Sequence, residues 1–154
     1  MNGRKLAEQH RQAWIKRIHK AACRVYINVG LQSEAVMQRC LAFELQTFAA
    51  SSVTQEVQHP IYYTNSHNQT LTVGTVRFDI CFLTQIATFV LELKVASHNR
   101  RTTAAQLQKY STLFDKAATA TTIRPVLLLI EFGASAVDLF VYDVNQNDMV
   151  RKTL

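Results

Sequence analysis

The stretch VRFDICFLTQIATFVLELKVA, at residues 76–96, decides the predicted fold. It contains two neighbouring segments, residues 76–83 and 87–96, whose apolar residues recur at every second position as in β-strands. This alternation puts Asp79, Glu92 and Lys94 on one face of the predicted sheet and an apolar set on the other. The residues predicted for the apolar face are Val76, Phe78, Ile80, Phe82, Leu91, Leu93 and Val95.

A hairpin turning at residues 84–87 would join the two segments. In that register Asp79 lies opposite Glu92, and Arg77 lies opposite Lys94. Two acids opposed across a sheet destabilise it unless a cation lies between them. Two explanations remain open at this point. Either a divalent metal ion binds both acids, or Arg77 and Lys94 neutralise them diagonally in a lattice of salt bridges.

Composition indicates one ordered domain covering residues 1–154. The chain is 48% apolar with few Gly and Pro residues, which is enough to build a sizeable core. Its cysteines, Cys23, Cys40 and Cys81, are odd in number and widely spaced, so neither a disulfide framework nor a zinc site is expected. We therefore expect an intracellular, reducing compartment. No apolar run is long enough to cross a membrane.

The amino-terminal region carries much of the net charge of +6. Apolar residues at helical spacing predict an amphipathic helix over about residues 6–27, with its basic residues facing outward. Three interpretations stay open: a surface that binds phosphates, a solvated helix face, or an organelle-targeting segment. The basic residues are Arg4, Lys5, Arg11, Lys16, Arg17, Lys20 and Arg24.

Periodicity also predicts the remaining elements. A second helix covers residues 33–49, with Ser33 as a candidate cap and Glu34 beside the packed face. The other predicted elements are a strand at 53–63 broken by Pro60, a strand at 71–83, a helix at 104–118, strands at 126–130 and 137–144, and a polar tail. The order ααβββαββ predicts an α/β fold with a mixed central sheet flanked by helices. A helical crossover would make the strands of Glu92 and Val126 parallel neighbours.

Six stretches of the chain resemble the PD-(D/E)XK nuclease superfamily and, within it, the GxxExxY proteins. Glu92-Leu93-Lys94 resembles the acid-x-lysine signature of that superfamily. The other stretches are Gly30 to Glu34 with the helix that follows, Gln55 to Tyr63, Arg77 to Ile80, Gln106 to Tyr110, and Leu127 to Gly133. The resemblance spans most of the chain and implies a restriction-endonuclease-like core.

The resemblance also implies an activity and a set of site residues. The expected activity is hydrolysis of phosphodiester bonds in nucleic acid, DNA more than RNA, with Mg²⁺ or Mn²⁺ as cofactor. The metal ligands implied are Asp79, Glu92, the carbonyl of Leu93 and Glu34. Lys94 would orient the attacking water and stabilise the phosphate charge, and Gln106 would assist. The nucleic-acid contacts implied are Arg77, Lys109, Tyr110, Lys16 and Lys20, with a packing role as the alternative for Tyr110.

Two further functions remain open at this point. The chain could be a nucleic-acid-binding or assembly subunit that keeps the fold without cleaving, or a partner-binding protein whose charged strand face is only a salt-bridge lattice. Because the domain is small, a homodimer or a partner protein is also expected. The five histidines share no ligand spacing, so we expect them to be surface residues rather than zinc ligands.

Overall fold

Two helices precede the sheet in the computed structural model, which describes residues 3–48, 53–85, 87–95, 103, 105–109, 125–143, 145–146 and 148–153. Helix α1 covers Gly3–Val29, and helix α2 covers Glu34–Phe48. Gly30 ends α1 with a positive φ of 71°, a conformation that glycine adopts without strain. Ser33 caps α2, because its Oγ accepts a hydrogen bond from the Val36 N–H at 3.3 Å. Both predicted helices and the predicted cap are confirmed.

Six strands form one sheet in chain order. They are β1 (Val53–Thr64), β2 (Thr70–Leu83), β3 (Thr88–Val95), β4 (Val126–Phe132), β5 (Val137–Asp143) and β6 (Asp148–Arg151). All neighbouring strands are antiparallel except β3 and β4, which are parallel. The helical segment at residues 105–109 lies between these two strands in the chain. The predicted mixed sheet and parallel crossover are confirmed.

The β2–β3 hairpin has the predicted register. Its pairs run from Leu83 with Thr88 to Ile80 with Leu91. The turn contains no glycine, and its hydrogen bonds are made by Thr84 at its start. The N–H of Thr84 donates to the carbonyl of Ala87 at 2.8 Å, and the Thr84 hydroxyl accepts from the Ala87 N–H at 3.0 Å.

Helices cover the sheet on both faces. The larger cluster lies between the sheet and helices α1 and α2, and includes Ile80, Phe82 and Leu91. The smaller cluster holds Val90, Leu107, Leu127, Leu129, Phe140 and Tyr142, with Leu107 contributed by the 105–109 segment. Phe78 also belongs to this smaller cluster, so its predicted position beside Ile80 and Phe82 was wrong.

A strained residue lies next to the point where the alternation is interrupted at Phe78. On β1, Gln55 pairs with Ile80 and Val57 pairs with Phe78, so Glu56 lies opposite Asp79. Glu56 has a φ of 49°, in the left-handed region that residues other than glycine rarely adopt. The strand pairing keeps the same offset on both sides of Glu56, so the change of face at Phe78 occurs without an inserted residue in this part of β1.

Several other expectations needed correction. Pro60 does not break β1 but pairs with Thr75, because β1 is an edge strand, where a missing N–H is tolerated. The tail is not merely polar: it forms β6, which Arg151 ties to Asp138 of β5 at 2.6 Å. The helix predicted at 104–118 is helical at residues 103 and 105–109, and its other residues lie outside the described ranges.

Helix α1 is held to the sheet by two histidines that were expected at the surface. Both are half-buried. His10 Nε2 lies 3.0 Å from the Thr84 hydroxyl, and His19 Nε2 lies 3.0 Å from the Val137 carbonyl.

The three cysteines are free thiols. Within the described residues, no helix combines the length and apolar character needed to span a bilayer.

Candidate active site

The β2–β3 hairpin opens next to two acidic side chains. Beyond the pair of Ile80 and Leu91, the Asp79 carboxylate accepts a hydrogen bond from the Leu93 N–H at 2.7 Å. In return, the N–H of Asp79 donates to the Glu92 carboxylate. Each acid is therefore held by the backbone of the opposite strand. The structure brings Asp79 and Glu92 together, but beyond the last β2–β3 pair, so the predicted pairings of Asp79 with Glu92 and of Arg77 with Lys94 are not among the observed pairs. We call Asp79 and Glu92 the acid pair.

Burial makes the acid pair electrostatically unfavourable. Glu92 is only 4% exposed, and loss of water raises its pKa to about 8. The negative charges of Asp79 and Glu34 add to this shift, whereas Lys94 opposes it. Burial likewise raises the pKa of Asp79, against the opposing effects of the Leu93 N–H and Lys94. Two carboxyl groups with raised pKa values are thus fixed side by side, and the charge of Asp79 disfavours ionisation of Glu92.

Lys94 and Glu34 lie next to the acid pair. Lys94 follows Glu92 on β3 and is half-buried, and its Nζ is 4.0 Å from Glu34 Oε1. Glu34 is the first residue of α2, so the Ser33 cap holds it at the helix terminus that points toward β3. The helical acid therefore lies beside the strand site, where it pairs with Lys94 and its charge acts on Glu92.

The donor set suits a hard divalent cation, although the described residues do not form a closed metal cage. The acid pair offers carboxylate oxygens, which Mg²⁺ and Mn²⁺ prefer. Across the described ranges, no group of three or more His, Cys, Asp and Glu side chains is arranged to hold a metal ion. The acid pair would thus supply two ligands, with backbone oxygen, water and substrate oxygen to complete the shell, as is common for Mg²⁺.

The ion pairs around the site differ from the diagonal lattice that was considered. Arg77 pairs with Glu56 of β1 at 3.0 Å, and Lys94 pairs with Glu34 of α2. Both cations still lie close enough to lower the pKa of Asp79, by less than burial raises it. The described ion pairs of Arg77 and Lys94 are therefore formed with acids on other elements. At Asp79, burial raises the pKa by more than the two cations lower it.

Glu56 is a neighbour of the site that was not predicted. It lies opposite Asp79 across β1 and β2, and its charge raises the pKa of that residue. Its ion pair with Arg77 is more than half exposed. Counting back from the turn would not have revealed Glu56, because the pairing shifts by one residue between Ile61 and Tyr62 and moves Glu56 from opposite Phe78 to opposite Asp79.

The remaining predicted residues lie on other elements. Gln106 is half-buried on the 105–109 segment, beside the fully buried Leu107, and Lys109 is exposed there. Tyr110 lies outside the described residues. Lys16 and Lys20 are exposed on α1, which packs mainly against α2, β4 and β5, so they belong to a different surface from the acid pair.

Comparisons with known proteins were made for the whole chain. A family model of the PD-(D/E)XK nuclease superfamily matches residues 12–141, a range that includes Glu34, Asp79, Glu92, Lys94 and Gln106. A search of curated proteins finds no match. Among solved structures, the crystal structure of SSO0001 aligns with a TM-score of 0.42 and 15% identity over 82% of this chain. This chain spans 60% of that protein.

The family match covers most of the chain and includes most of α1, all of α2 and the strands that carry the acid pair. The narrower GxxExxY resemblance stays a prediction. Gly30 stands four residues before Glu34 rather than three, and the fully buried Met37 occupies the position of the tyrosine. The mixed sheet flanked by helices is the restriction-endonuclease-like fold that the resemblance implied. With residues 12–141 matching its model, this chain belongs to the PD-(D/E)XK nuclease superfamily.

Proposed function

We propose that this chain is a metal-dependent nuclease that hydrolyses phosphodiester bonds in nucleic acid, with DNA preferred over RNA. The observation that carries the proposal is the acid pair. Two carboxyl groups are held together by opposite strands in a site where Glu92 is 4% exposed. Burying two ionised carboxylates together is unfavourable unless a cation joins them; without one, the raised pKa keeps Glu92 protonated. Membership of a nuclease superfamily supports the same chemistry.

Mg²⁺ or Mn²⁺ is the cofactor in this proposal. Asp79, Glu92 and the carbonyl of Leu93 would hold it, and Glu34 would join when it moves from Lys94. When bound, the ion supplies positive charge to the phosphate and lowers the pKa of a water ligand. Glu92 has to lose its proton to act as a ligand. Because its pKa is raised to about 8, metal affinity and pH are coupled in this protein.

Side chains of this protein would handle the water and the phosphate. Lys94 carries three N–H donors. In this proposal one faces Glu34 while the others orient the attacking water and stabilise the charge that develops on the phosphate. The half-buried Gln106 would position water or the nucleic-acid backbone. The phosphate contacts proposed outside the acid pair are Arg77, Lys109, Tyr110, Lys16 and Lys20.

A cleavage assay with matched lysine variants tests the proposal. Purified protein is incubated with single- and double-stranded DNA and RNA in Mg²⁺, Mn²⁺ or EDTA. We expect metal-dependent cleavage that Lys94→Ala reduces about 100-fold or more. Lys152→Ala is the control, because Lys152 is also half-buried but lies beyond β6. Equal cleavage by wild type and Lys94→Ala would contradict the proposed role of Lys94.

One observation favours a second candidate function. Glu34 faces Lys94, and the described acids do not form a three-residue cluster, as expected for a non-cleaving nucleic-acid-binding or assembly subunit. This alternative predicts that the wild-type protein binds labelled nucleic acid and leaves it intact in both metals. Binding without cleavage under all these conditions would favour it over the nuclease.

The proposal extends to the whole chain and its compartment. Residues 1–154 would act as one domain, in an intracellular compartment that is reducing enough to keep Cys23, Cys40 and Cys81 as thiols. Two of these cysteines are half-buried and Cys81 is buried. Full activity in the presence of a thiol reductant is the expected outcome. Activity that required an oxidant would contradict this part of the proposal.

A further inference from the structure

The β1–β2 hairpin extends well past the acid pair. Its strands pair from Val53 with Phe82 to Thr64 with Thr70. In contrast, β2 pairs with β3 only between Ile80 and Leu83. Among the described strands, residues 70–79 of β2 therefore have β1 as their sheet neighbour and no other. A two-stranded ribbon of this kind is marginally stable in water by itself.

The outer part of this hairpin is free of charge. Residues 57–76, which we call the charge-free ribbon, contain no Asp, Glu, Lys or Arg. The whole chain is 18% charged, so an average stretch of this length would carry three or four such residues. Exposed β edges and ribbons in monomeric proteins commonly carry charges, especially Lys, that prevent association. The charge-free ribbon lacks that protection.

An apolar pair is exposed near the tip of the charge-free ribbon. Tyr63 lies directly opposite Leu71, and they are 45% and 66% exposed. The tip itself is a well-defined turn, because Asn65 Oδ1 accepts hydrogen bonds from the N–H groups of His67 and Gln69 at 2.9 and 3.0 Å. The ribbon thus presents an aromatic and an aliphatic side chain on a closed hairpin.

We propose that the charge-free ribbon is the surface through which two copies of this chain dimerise, around the pair of Tyr63 and Leu71. Each copy has a net charge of +6, so two copies repel each other least where their surfaces carry no charge. A standard interface uses about 20–30 residues from each partner. One face of this 20-residue ribbon supplies about half that number, as in a small, reversible interface. A two-fold axis would place each apolar pair on its counterpart.

The structure favours this partner and this surface over two alternatives. Nucleic acid is bound mainly through Lys and Arg contacts to phosphate, and the charge-free ribbon has neither residue. The groove between α1 and α2 also exposes an apolar side chain, Phe43 at 72%, but Arg39 and Glu44 line it. Pro60 lacks an N–H and weakens edge-to-edge pairing of β1. Tyr63 and Leu71 are directly opposed and exposed on one face of the ribbon, and the contact is placed at that face.

The dimer deepens the proposed function. The charge-free ribbon begins directly beside Arg77 and Glu56, which flank Asp79. Dimerisation through it would fix the spacing between two candidate sites, as required for paired cuts in a duplex. That consequence rests on the proposed nuclease function, whereas the interface itself is tested by molecular mass alone. A failed interface and a failed nuclease proposal are therefore distinguishable.

Sedimentation equilibrium of the full chain, over a wide range of protein concentration, tests the interface. We expect a reversible dimer whose dissociation constant rises about tenfold or more in Leu71→Glu. The matched control is Leu6→Glu on α1, where a 52% exposed leucine receives the same charge, and its dissociation constant should change less than about twofold. Leu71→Thr keeps strand propensity and adds no charge, so weaker dimerisation in that variant excludes hairpin unfolding as the cause.

Three outcomes would overturn the proposed interface. The first is a wild-type chain that stays monomeric at every concentration. The second is a dimer that Phe43→Glu dissociates while Leu71→Glu and Leu71→Thr do not, which would assign the interface to the α1–α2 groove. The third is a monomer whose binding to labelled DNA is weakened by Leu71→Thr, which would assign the charge-free ribbon to nucleic acid.

Discussion

Replacing Glu92 by glutamine should stabilise the protein at alkaline pH. Burial raises the pKa of Glu92 from an ordinary value of 4.5 to about 8, so the folded state holds this proton more tightly than the unfolded chain does. The tighter binding of this proton stabilises the folded state in full below pH 4.5, and this stabilisation is lost as the pH rises through 8. Glutamine keeps the size of the side chain and has no charge to bury.

The magnitude follows from the size of the pKa shift. Each pKa unit corresponds to about 1.4 kcal/mol, so the wild-type protein should lose about 3 to 5 kcal/mol between pH 4 and pH 9 through this group. Small domains are stable by only about 5–15 kcal/mol, so the effect is large. Glu92→Gln should match wild type at pH 4 within about 1 kcal/mol and exceed it by several at pH 9.

Urea unfolding in EDTA, followed by circular dichroism from pH 4 to pH 9, measures this difference. The matched control is Glu44→Gln, which removes a glutamate that pairs with Arg24 between α2 and α1. That variant should gain no stability with rising pH. A free-energy difference between wild type and Glu92→Gln that stays constant over the whole pH range would refute the reasoning, because it would mean that Glu92 titrates normally.

Mg²⁺ should reverse the alkaline loss of stability in the wild-type protein. A cation beside the acid pair favours the ionised form of Glu92. The apparent affinity of the protein for Mg²⁺ should therefore rise about tenfold per pH unit below pH 8 and level off above pH 8. Glu92→Gln should respond to Mg²⁺ much less. Calorimetric titration at several pH values measures the affinity and the proton release. Equal stabilisation of both proteins by Mg²⁺ would place the ion elsewhere.

Two further variants test the surroundings of the acid pair. Glu56→Gln removes the acid that pairs with Arg77. In the absence of divalent metal, this variant should bind labelled DNA about two- to fivefold more tightly than wild type. Glu44→Gln is the control, and its DNA binding should be unchanged. Weaker binding of Glu56→Gln in fluorescence anisotropy would contradict this. Ser33→Ala removes the cap of α2 and should lower the free energy of unfolding by about 1 kcal/mol in urea titrations. An unchanged unfolding midpoint would show that the cap is dispensable.

Local patterns were enough to predict the hairpin that carries the acid pair. Phe82 pairs with Phe89 in a register that keeps Phe89, Leu91 and Leu93 in the larger cluster, and a slip of one residue would turn that set to the other face. The register therefore did not require a glycine in the turn, because Thr84 closes it with its hydroxyl group. The parallel pairing of β3 with β4 followed from the long connection between them.

Features that depend on packing between distant elements were not predictable. The left-handed backbone of Glu56 has no sequence signature, yet it accompanies the shift of Phe78 into the second cluster. The contact of Lys94 with Glu34 requires α2 to dock on the sheet, which no strand pattern reveals. Strand β6 is short and polar, and it is recognisable only through its pairing with β5 and the contact of Arg151 with Asp138.

The irregular features of this fold concentrate around Asp79. Three features next to Asp79 disfavour the folded state. They are the left-handed backbone of Glu56, the end of the β2–β3 pairing and the raised pKa of the Glu92 carboxyl group. A chain under no constraint at this position would gain stability from an apolar residue at Glu92, which is 4% exposed. The contribution of Glu92 to folding alone therefore does not account for an acid at this position. A ligand that binds the ionised pair would offset these terms, because binding to the folded state alone stabilises it.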